Sequence, residues 1–181
     1  MKVTEERYLR ERQCFDLAIR MIGHEARTQT IQSCTRLSED RIRKLYRNFF
    51  KFSASTNVRR HRGKAPRRCE YFVETLATQF EAATLAALFI AGGMLVEKAS
   101  PAMPEKNLGF GHAFCRVYDR FLDFHPSPRI SFDHGWFLLE ALLDANELAL
   151  RSCAVCNNWY PHDILGLRPL KCPGCRVLKL G

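Results

Sequence analysis

The sequence has no apolar run long enough to span a membrane. Its longest stretch without a charged side chain is residues 82–96, fifteen residues bounded by Glu81 and Glu97, whereas a membrane-spanning helix needs about 20 residues. The first 27 residues carry 6 basic and 5 acidic side chains, which is not the pattern of a secretory signal peptide. We therefore expect a cytoplasmic protein that has no membrane partner.

The motifs of two enzyme classes are also missing. No His-x-Glu sequence occurs, although zinc-dependent nucleobase deaminases need one, together with Pro-Cys-x-x-Cys and an open metal position. The chain also has no glycine-rich phosphate-binding loop of the Walker type. We therefore expect a protein that is not an enzyme.

The whole chain has a formal net charge of +9. Acidic side chains are scarce in one segment of it. Residues 36–68 hold 12 basic and 2 acidic side chains, a net charge of +10, whereas residues 69–150 have a net charge of −6. A polyanion meets the local field of a protein rather than its net charge. This asymmetry therefore points to a nucleic-acid-binding segment.

Apolar residues recur at helical spacing, and no strand pattern of period two is evident before residue 150. We predict helices over residues 5–26, 28–34, 70–96, 112–124 and 132–150, together with a helix that Ser38 caps. The predicted fold class is therefore mainly α. We expect a helical body at residues 1–150, which contains a basic helix-turn-helix-like segment and loop at residues 24–68, and a small C-terminal zinc-binding region with four cysteines at residues 151–181.

Half of the eight cysteines follow the spacing of a metal site. Two Cys-x-x-Cys pairs are separated by fifteen residues, which is the spacing of a four-thiolate zinc site, and disulfides are rare in the reducing cytosol that we expect. Four thiolates leave no open position for water, so we predict one structural Zn²⁺ per chain. The predicted metal ligands are Cys153, Cys156, Cys172 and Cys175.

Other interpretations of the cysteines are open. His162 could replace one thiolate in a Cys₃His site. A Cys-x-x-Cys pair could instead be a redox dithiol, although the βαβ pattern of thioredoxin-like proteins is missing around it, or all four cysteines could be ordinary buried residues. The remaining cysteines are scattered, and we expect them to be packing residues. They are Cys14, Cys34, Cys69 and Cys115.

Residues 28–50 have the outline of a helix-turn-helix, in which a short helix, a turn and a second helix follow one another. Leu37, Ile42 and Leu45 fall at the apolar spacing that holds the second helix of such a motif against the first. The match is incomplete, because Gln32 and Arg36 stand where small residues usually permit a close helix approach. A solvated helix face without a specific ligand is the alternative interpretation.

A basic loop follows the second helix. Residues 53–68 lack apolar periodicity and are rich in arginine, which favours bidentate contacts with phosphate. A basic loop beside a basic helix can follow phosphates while helix side chains contact base edges. The predicted DNA-binding residues are Arg36, Arg41, Arg43, Lys44, Arg47, Lys51, Arg59, Arg60, Arg62, Lys64, Arg67 and Arg68.

These segments resemble those of a known family. The runs Ala26-Arg-Thr-Gln-Thr-Ile-Gln, Leu37-Ser38 and Arg41-Ile-Arg-Lys-Leu-Tyr46 are similar to the FlhC family, the C subunit of the bacterial flagellar master transcriptional activator. The similarity continues at Trp136, through residues 150–153 and across the four-cysteine motif.

The resemblance implies a mainly helical transcriptional activator of flagellar operons whose four cysteines bind zinc. It further implies a hetero-hexamer of four FlhD and two FlhC subunits, which binds promoter double-stranded DNA and recruits RNA polymerase. The charge and the cysteine motif alone would also allow an RNA-binding or ribosome-associated zinc protein.

Overall fold

The computed structural model describes residues 2–51, 58–61, 63–95, 104–166 and 171–178. Within these ranges the chain forms seven α-helices, one 3₁₀ helix and one two-stranded sheet, so the mainly helical fold class is confirmed. None of the described helices is long and apolar enough to cross a membrane. In chain order the elements are α1 (Lys2–Gly23), α2 (Thr28–Thr35), α3 (Glu39–Phe49), the 3₁₀ helix (Cys69–Phe72), α4 (Leu76–Ala91), α5 (Leu108–Phe124), α6 (Phe132–Asp144), β1 (Leu148–Ser152), β2 (Trp159–Asp163) and α7 (Pro173–Val177).

The chain divides into two compact units. The first comprises residues 1–65 and 104–115, and the second comprises residues 66–103 and 116–181. In the first unit α1, α2 and α3 pack against one another. Leu17, Met21, Ile31 and Ile42 are buried there, because each of the three helices carries apolar residues on one face.

A three-residue turn separates α2 from α3. Arg36 ends α2 in the left-handed conformation, with φ of 60°, and Leu37 is buried directly after it. Ser38 has the extended backbone of an N-cap, as expected, but its side chain makes no capping hydrogen bond. The burial of Leu37 and Ile42 agrees with the apolar spacing in the sequence, and Leu45 is half-buried.

The second unit is built around α4, which contacts α6, α7 and the sheet. The strands β1 and β2 are antiparallel, with Leu148 opposite Asp163 and Ser152 opposite Trp159. Large aromatic side chains dominate the interior of this unit, because the apolar faces of its helices are rich in phenylalanine. Those that are completely buried include Phe72, Phe89, Phe121 and Phe132.

The helix predicted over residues 70–96 is shorter than expected. The 3₁₀ helix ends at Phe72, and α4 begins only at Leu76. Thr75 has an extended backbone, and its hydroxyl accepts the Thr78 N–H at 3.1 Å while the Thr78 hydroxyl accepts the Thr75 N–H at 3.3 Å. This reciprocal capping box stops the helix from extending towards Tyr71. The sequence gives a weak signal for it, because the usual partner residue is Glu or Gln.

The prediction of a helix to residue 150 without a strand is wrong. The helix α6 ends at Asp144, because Ala145 turns into the left-handed region with φ of 51°. The strand β1 begins at Leu148, so the division expected after residue 150 falls inside a strand. The residues of this strand, Leu-Ala-Leu-Arg-Ser, do not alternate between apolar and polar, and only Leu148 is buried, so no pattern of period two indicates the strand.

Candidate metal centre and nucleic-acid interface

The four cysteines predicted to bind metal lie together in the second unit. Their Sγ atoms all lie within 4.8 Å of one another, and Cys156 Sγ is 3.6 Å from Cys172 Sγ. A tetrahedral ion with four bonds of about 2.3 Å to sulfur has sulfur–sulfur edges of about 3.8 Å. The arrangement could therefore hold a metal ion, and it brings together cysteines that are sixteen residues apart in the chain.

Two local turns position these sulfurs. Cys153 directly follows β1, and its backbone carbonyl accepts the Asn157 N–H at 3.0 Å, which closes the first turn. Cys172 is the N-cap of α7, and its Sγ accepts the Cys175 N–H at 3.4 Å. Pro173 occupies the first position of that helix, where its fixed φ is favourable and no N–H is needed.

Backbone N–H groups also donate hydrogen bonds to the sulfur of Cys153. Cys153 Sγ accepts the Val155 N–H at 3.4 Å and the Cys172 N–H at 3.2 Å. Burial raises the pKa of Cys153, but hydrogen bonds from backbone N–H groups outweigh it and lower the pKa to about 6. Such bonds stabilise a thiolate. A hydrogen bond with Cys156, followed by burial, raises the pKa of Cys175 to about 12, so a cation would have to displace that proton.

The four-cysteine cluster packs against its surroundings in the same unit. Tyr160 is buried and packs with Cys153, Cys172 and Cys175, and Ala83 of α4 packs against this cluster. The guanidinium of Arg176 in α7 donates to Gln79 Oε1 in α4 at 2.8 Å. The turn that carries two of the sulfurs is thus fixed to the long central helix.

His162 lies outside the group of ligands. This residue is in β2, and its Nδ1 contacts the Ala149 carbonyl oxygen of β1 at 2.9 Å. The group of candidate ligands among the described residues contains the four cysteines without a histidine. The geometry therefore favours the four-thiolate interpretation over the Cys₃His alternative.

The structure brings six of the predicted DNA-binding side chains to one cleft in the first unit. The cleft has a volume of about 840 Å³. Asp40, Tyr46 and Val58 also line it. Its cationic lining residues are Arg43, Lys44, Arg47 and Lys51 from α3 and the turn after it, and Arg59 and Arg60.

Other predicted DNA-binding residues lie elsewhere. Arg41 pairs with Glu11 of α1, and its guanidinium lies 4.8 Å from the centre of the Phe15 ring. Arg36 and Lys64 are exposed in the first unit and do not line the cleft. Arg67 and Arg68 are exposed residues of the second unit. Arg62 lies outside the described residues.

Hydrogen bonds hold one part of the predicted basic loop. We call residues 58–61 with Gly63 the arm. Tyr46 Oη of α3 donates to the Val58 carbonyl at 3.0 Å. Glu25, in the turn between α1 and α2, accepts the Arg59 N–H at 2.8 Å and contacts His61 Nε2 at 2.9 Å.

Two further hydrogen bonds join the arm to the start of α2. The Arg60 guanidinium donates to Thr28 Oγ1 at 3.4 Å, and Arg27 Nη1 donates to the Gly63 carbonyl at 3.1 Å. Glu25 and Tyr46 are thus site residues that the sequence did not reveal. Each bonds to a backbone group more than ten residues away, and no local pattern indicates such a contact.

No protein-family model matches this chain, and no curated protein matches it. The resemblance to the FlhC family therefore rests on the sequence segments named above.

Proposed function

We propose that this chain is a DNA-binding transcriptional activator subunit of the FlhC type, with a structural Zn²⁺ in its four-cysteine centre. The observation that carries the proposal is the cleft, on which six cationic side chains from α3, the turn after it and the arm converge. The phosphate backbone of a nucleic acid suits such a surface, because contacts with phosphate supply most of the affinity of non-specific binding. The resemblance to the FlhC family favours DNA over RNA.

The chemistry of the cleft supports contacts with phosphate. Four of its six cations are arginines, whose planar guanidinium can donate two hydrogen bonds to one phosphate. Arg43 also pairs with Glu39 at 2.7 Å and with Asp40 at 3.3 Å. These pairs are exposed, and pairs of that kind are worth little, so a phosphate can compete with both carboxylates.

The helix pair supports entry into a groove of DNA. The helices α2 and α3 are joined by three residues with a buried leucine between them, which suits the compact geometry of a helix-turn-helix. In this interpretation α3 is the recognition helix, and Arg43, Lys44 and Arg47 on its exposed surface contact bases or phosphates.

The metal centre supports a structural role for the ion. Four thiolates complete a tetrahedral shell and leave no position for substrate or water. Zinc is the proposed ion because it is the divalent metal that most often occupies four-cysteine sites with this spacing. The free energy of metal binding would hold β1, β2 and α7 together, since the described residues of this short segment include few buried aliphatic side chains.

The proposed partners come from the resemblance to the FlhC family. The chain would act in the cytoplasm as part of a hetero-hexamer with FlhD, bind promoters of flagellar operons and recruit RNA polymerase to them. These assignments extend the DNA-binding proposal and are tested with it.

The decisive experiment is co-expression of this chain with FlhD, followed by a gel shift on a flagellar promoter duplex. We expect a stable complex that retards the promoter more strongly than a shuffled duplex of equal length. Unlabelled RNA of the promoter sequence should compete poorly. Equal competition by RNA would support the alternative of an RNA-binding zinc protein, and failure to bind any nucleic acid would overturn both.

A further inference from the structure

We propose that Glu25 is a positioning residue for polyanion binding, although it carries a negative charge beside a basic cleft. The inference rests on the proposed DNA-binding function and deepens it. Glu25 would hold the arm so that Arg59 and Arg60 complete the cleft that α3 begins. Its negative charge would repel a polyanion, so its favourable contribution to binding would come from the position in which it holds the arm.

The backbone of Glu25 adopts a conformation that is uncommon for its residue type. Its φ is 61°, in the left-handed region, which side chains other than glycine, asparagine and aspartate visit rarely. Its N–H donates to the Ile22 carbonyl at 2.8 Å, at the end of α1. The Ala26 N–H also donates to the Met21 carbonyl at 3.0 Å, so Glu25 is the left-handed residue of a Schellman motif that ends α1. This helix ending places the Glu25 side chain in the turn before α2.

Both oxygens of the Glu25 carboxylate bind the arm. Oε1 accepts the Arg59 N–H at 2.8 Å, and Oε2 contacts His61 Nε2 at 2.9 Å. Because Arg59 is held through its backbone N–H, its guanidinium is left for the cleft. A single side chain in the turn before α2 thereby fixes the two ends of the segment that contains Arg59 and Arg60.

Tyr46 supplies a second anchor on the other side of the arm. Its hydroxyl donates to the Val58 carbonyl at 3.0 Å, and its ring stacks with that of Phe50, with centroids 6.4 Å apart. The arm thus spans between the turn that contains Glu25 and the last turns of α3. Holding a cationic segment in its bound position lowers the ordering cost of binding and raises affinity without any new contact.

Charge and positioning predict effects of opposite sign, which makes the inference testable. If Glu25 acted only through its charge, neutralising it would tighten binding to a polyanion. If it positions the arm, then removing its hydrogen bonds should weaken binding even though the net charge of the protein rises by one. Glu25→Ala and Glu25→Gln change the charge equally, but only glutamine keeps an acceptor for the Arg59 N–H.

The experiment titrates a fluorescein-labelled duplex of mixed sequence with the metal-loaded full chain, in complex with co-expressed FlhD. We expect Glu25→Ala to weaken binding by about 5- to 10-fold and Glu25→Gln to stay within about twofold of the unmodified protein. The control is Asp16→Asn on α1, where an exposed acid pairs with Arg12 at 3.9 Å. It raises the net charge equally, and we expect unchanged or slightly tighter binding.

Tyr46→Phe provides a second variant, because it removes one hydroxyl without changing the charge. Tyr46 also lines the cleft, so its result is interpreted together with that of Glu25→Ala, since the Glu25 side chain does not line it. We expect Tyr46→Phe to weaken binding in the same direction as Glu25→Ala. The inference is overturned if the unmodified protein binds DNA and Glu25→Ala matches Glu25→Gln, or if Tyr46→Phe has no effect. Absence of binding by the unmodified protein would instead overturn the proposed function itself.

Discussion

The buried carboxylate of Glu81 in α4 accepts the backbone N–H of Arg129 at 2.8 Å, and the neighbouring Ile130 N–H at 3.0 Å. The Arg129 guanidinium lies 3.5 Å from the other oxygen of the same carboxylate. The side chain of Glu81 is only 7% exposed, whereas that of Arg129 is 62% exposed. Glu81 thus serves mainly as an acceptor for the turn between α5 and α6, and the ion pair is a lesser part of the contact.

This asymmetry predicts that replacing Glu81 lowers the free energy of unfolding more than replacing Arg129 does. Glu81→Ala leaves two N–H groups without their acceptor, and we expect it to lower the free energy of unfolding by about 2–4 kcal/mol. Arg129→Ala keeps both backbone bonds and removes only an exposed charge, so we expect a loss below about 1 kcal/mol. Urea unfolding followed by circular dichroism measures both, and equal losses would show that the ion pair dominates.

The proposed four-thiolate site predicts a linked loss of metal and structure. Cys156→Ser removes one of the four sulfurs, so we expect metal content well below one ion per chain and loss of soluble protein. The matched control is Cys14→Ser, which replaces a half-buried cysteine of α1 outside the four-cysteine cluster. This variant should keep its metal. The yield of soluble protein measures the loss of folding, and elemental analysis of the fraction that stays soluble gives the number of metal ions per chain. Full metal content in Cys156→Ser would contradict the four-thiolate site.

The two arginines at positions 41 and 47 should behave differently. Arg47 lines the cleft, so Arg47→Ala should weaken promoter binding and reduce the slope of log K against log salt by about 0.9 if one phosphate contact is lost. Arg41 contacts Glu11 and Phe15 of α1, so Arg41→Ala should affect stability more than the slope. Fluorescence titrations at several salt concentrations test this, and equal slopes for both variants would place the DNA-binding surface elsewhere.

The sequence predicts best what depends on local spacing. The four cysteines could be assigned from two short motifs, because a tight turn brings each pair of sulfurs to one side. The bounds of α2 and the start of α3 also agree closely with the prediction, because helix ends are signalled by residues next to them in the sequence. The strand β1 was missed because its five residues pair only with β2 and lack an alternating pattern.

What the sequence could not predict depends on contacts between distant residues. Arg41 and Arg43 both belong to the basic helix α3, and only the packing of α1 against α3 assigns Arg41 to Glu11. Glu25 lies 34 positions before Arg59, and neither residue carries a local signal of the other. Charge patterning thus found the basic segment, but the cleft itself required the folded first unit.

Thiol reactivity should follow burial in the two units. Burial raises the pKa of Cys34 to about 11, so Cys34 is almost entirely the unreactive thiol at pH 8. Burial, followed by a hydrogen bond with Glu147, raises the pKa of Cys69 to about 12. The half-buried Cys14 should therefore be alkylated first in the folded, metal-loaded protein. Iodoacetamide labelling with mass spectrometry measures this, and early labelling of Cys34 would show that the packing around it opens.

Gly111 lies where α5 packs closely against side chains of α1 and α2 in the first unit. A β-carbon at this position of α5 would lie 2.7 Å from Leu17 Cδ2 and 3.1 Å from Cys34 Cβ, both in the buried core. We expect Gly111→Ala to destabilise the protein by about 1–3 kcal/mol, because the core must shift to admit a methyl group. Gly109→Ala, in the same helix, is the control, since its β-carbon would have only Asn107 Oδ1 nearby, at 3.3 Å. Asn107 Oδ1 accepts the Phe110 N–H at 3.0 Å and lies on the surface side of the first turn, where it can move by a few tenths of an ångström. We therefore expect the control to cost less stability than Gly111→Ala in thermal unfolding. A stabilising Gly111→Ala would contradict the tight packing of α5 on α1 and α2.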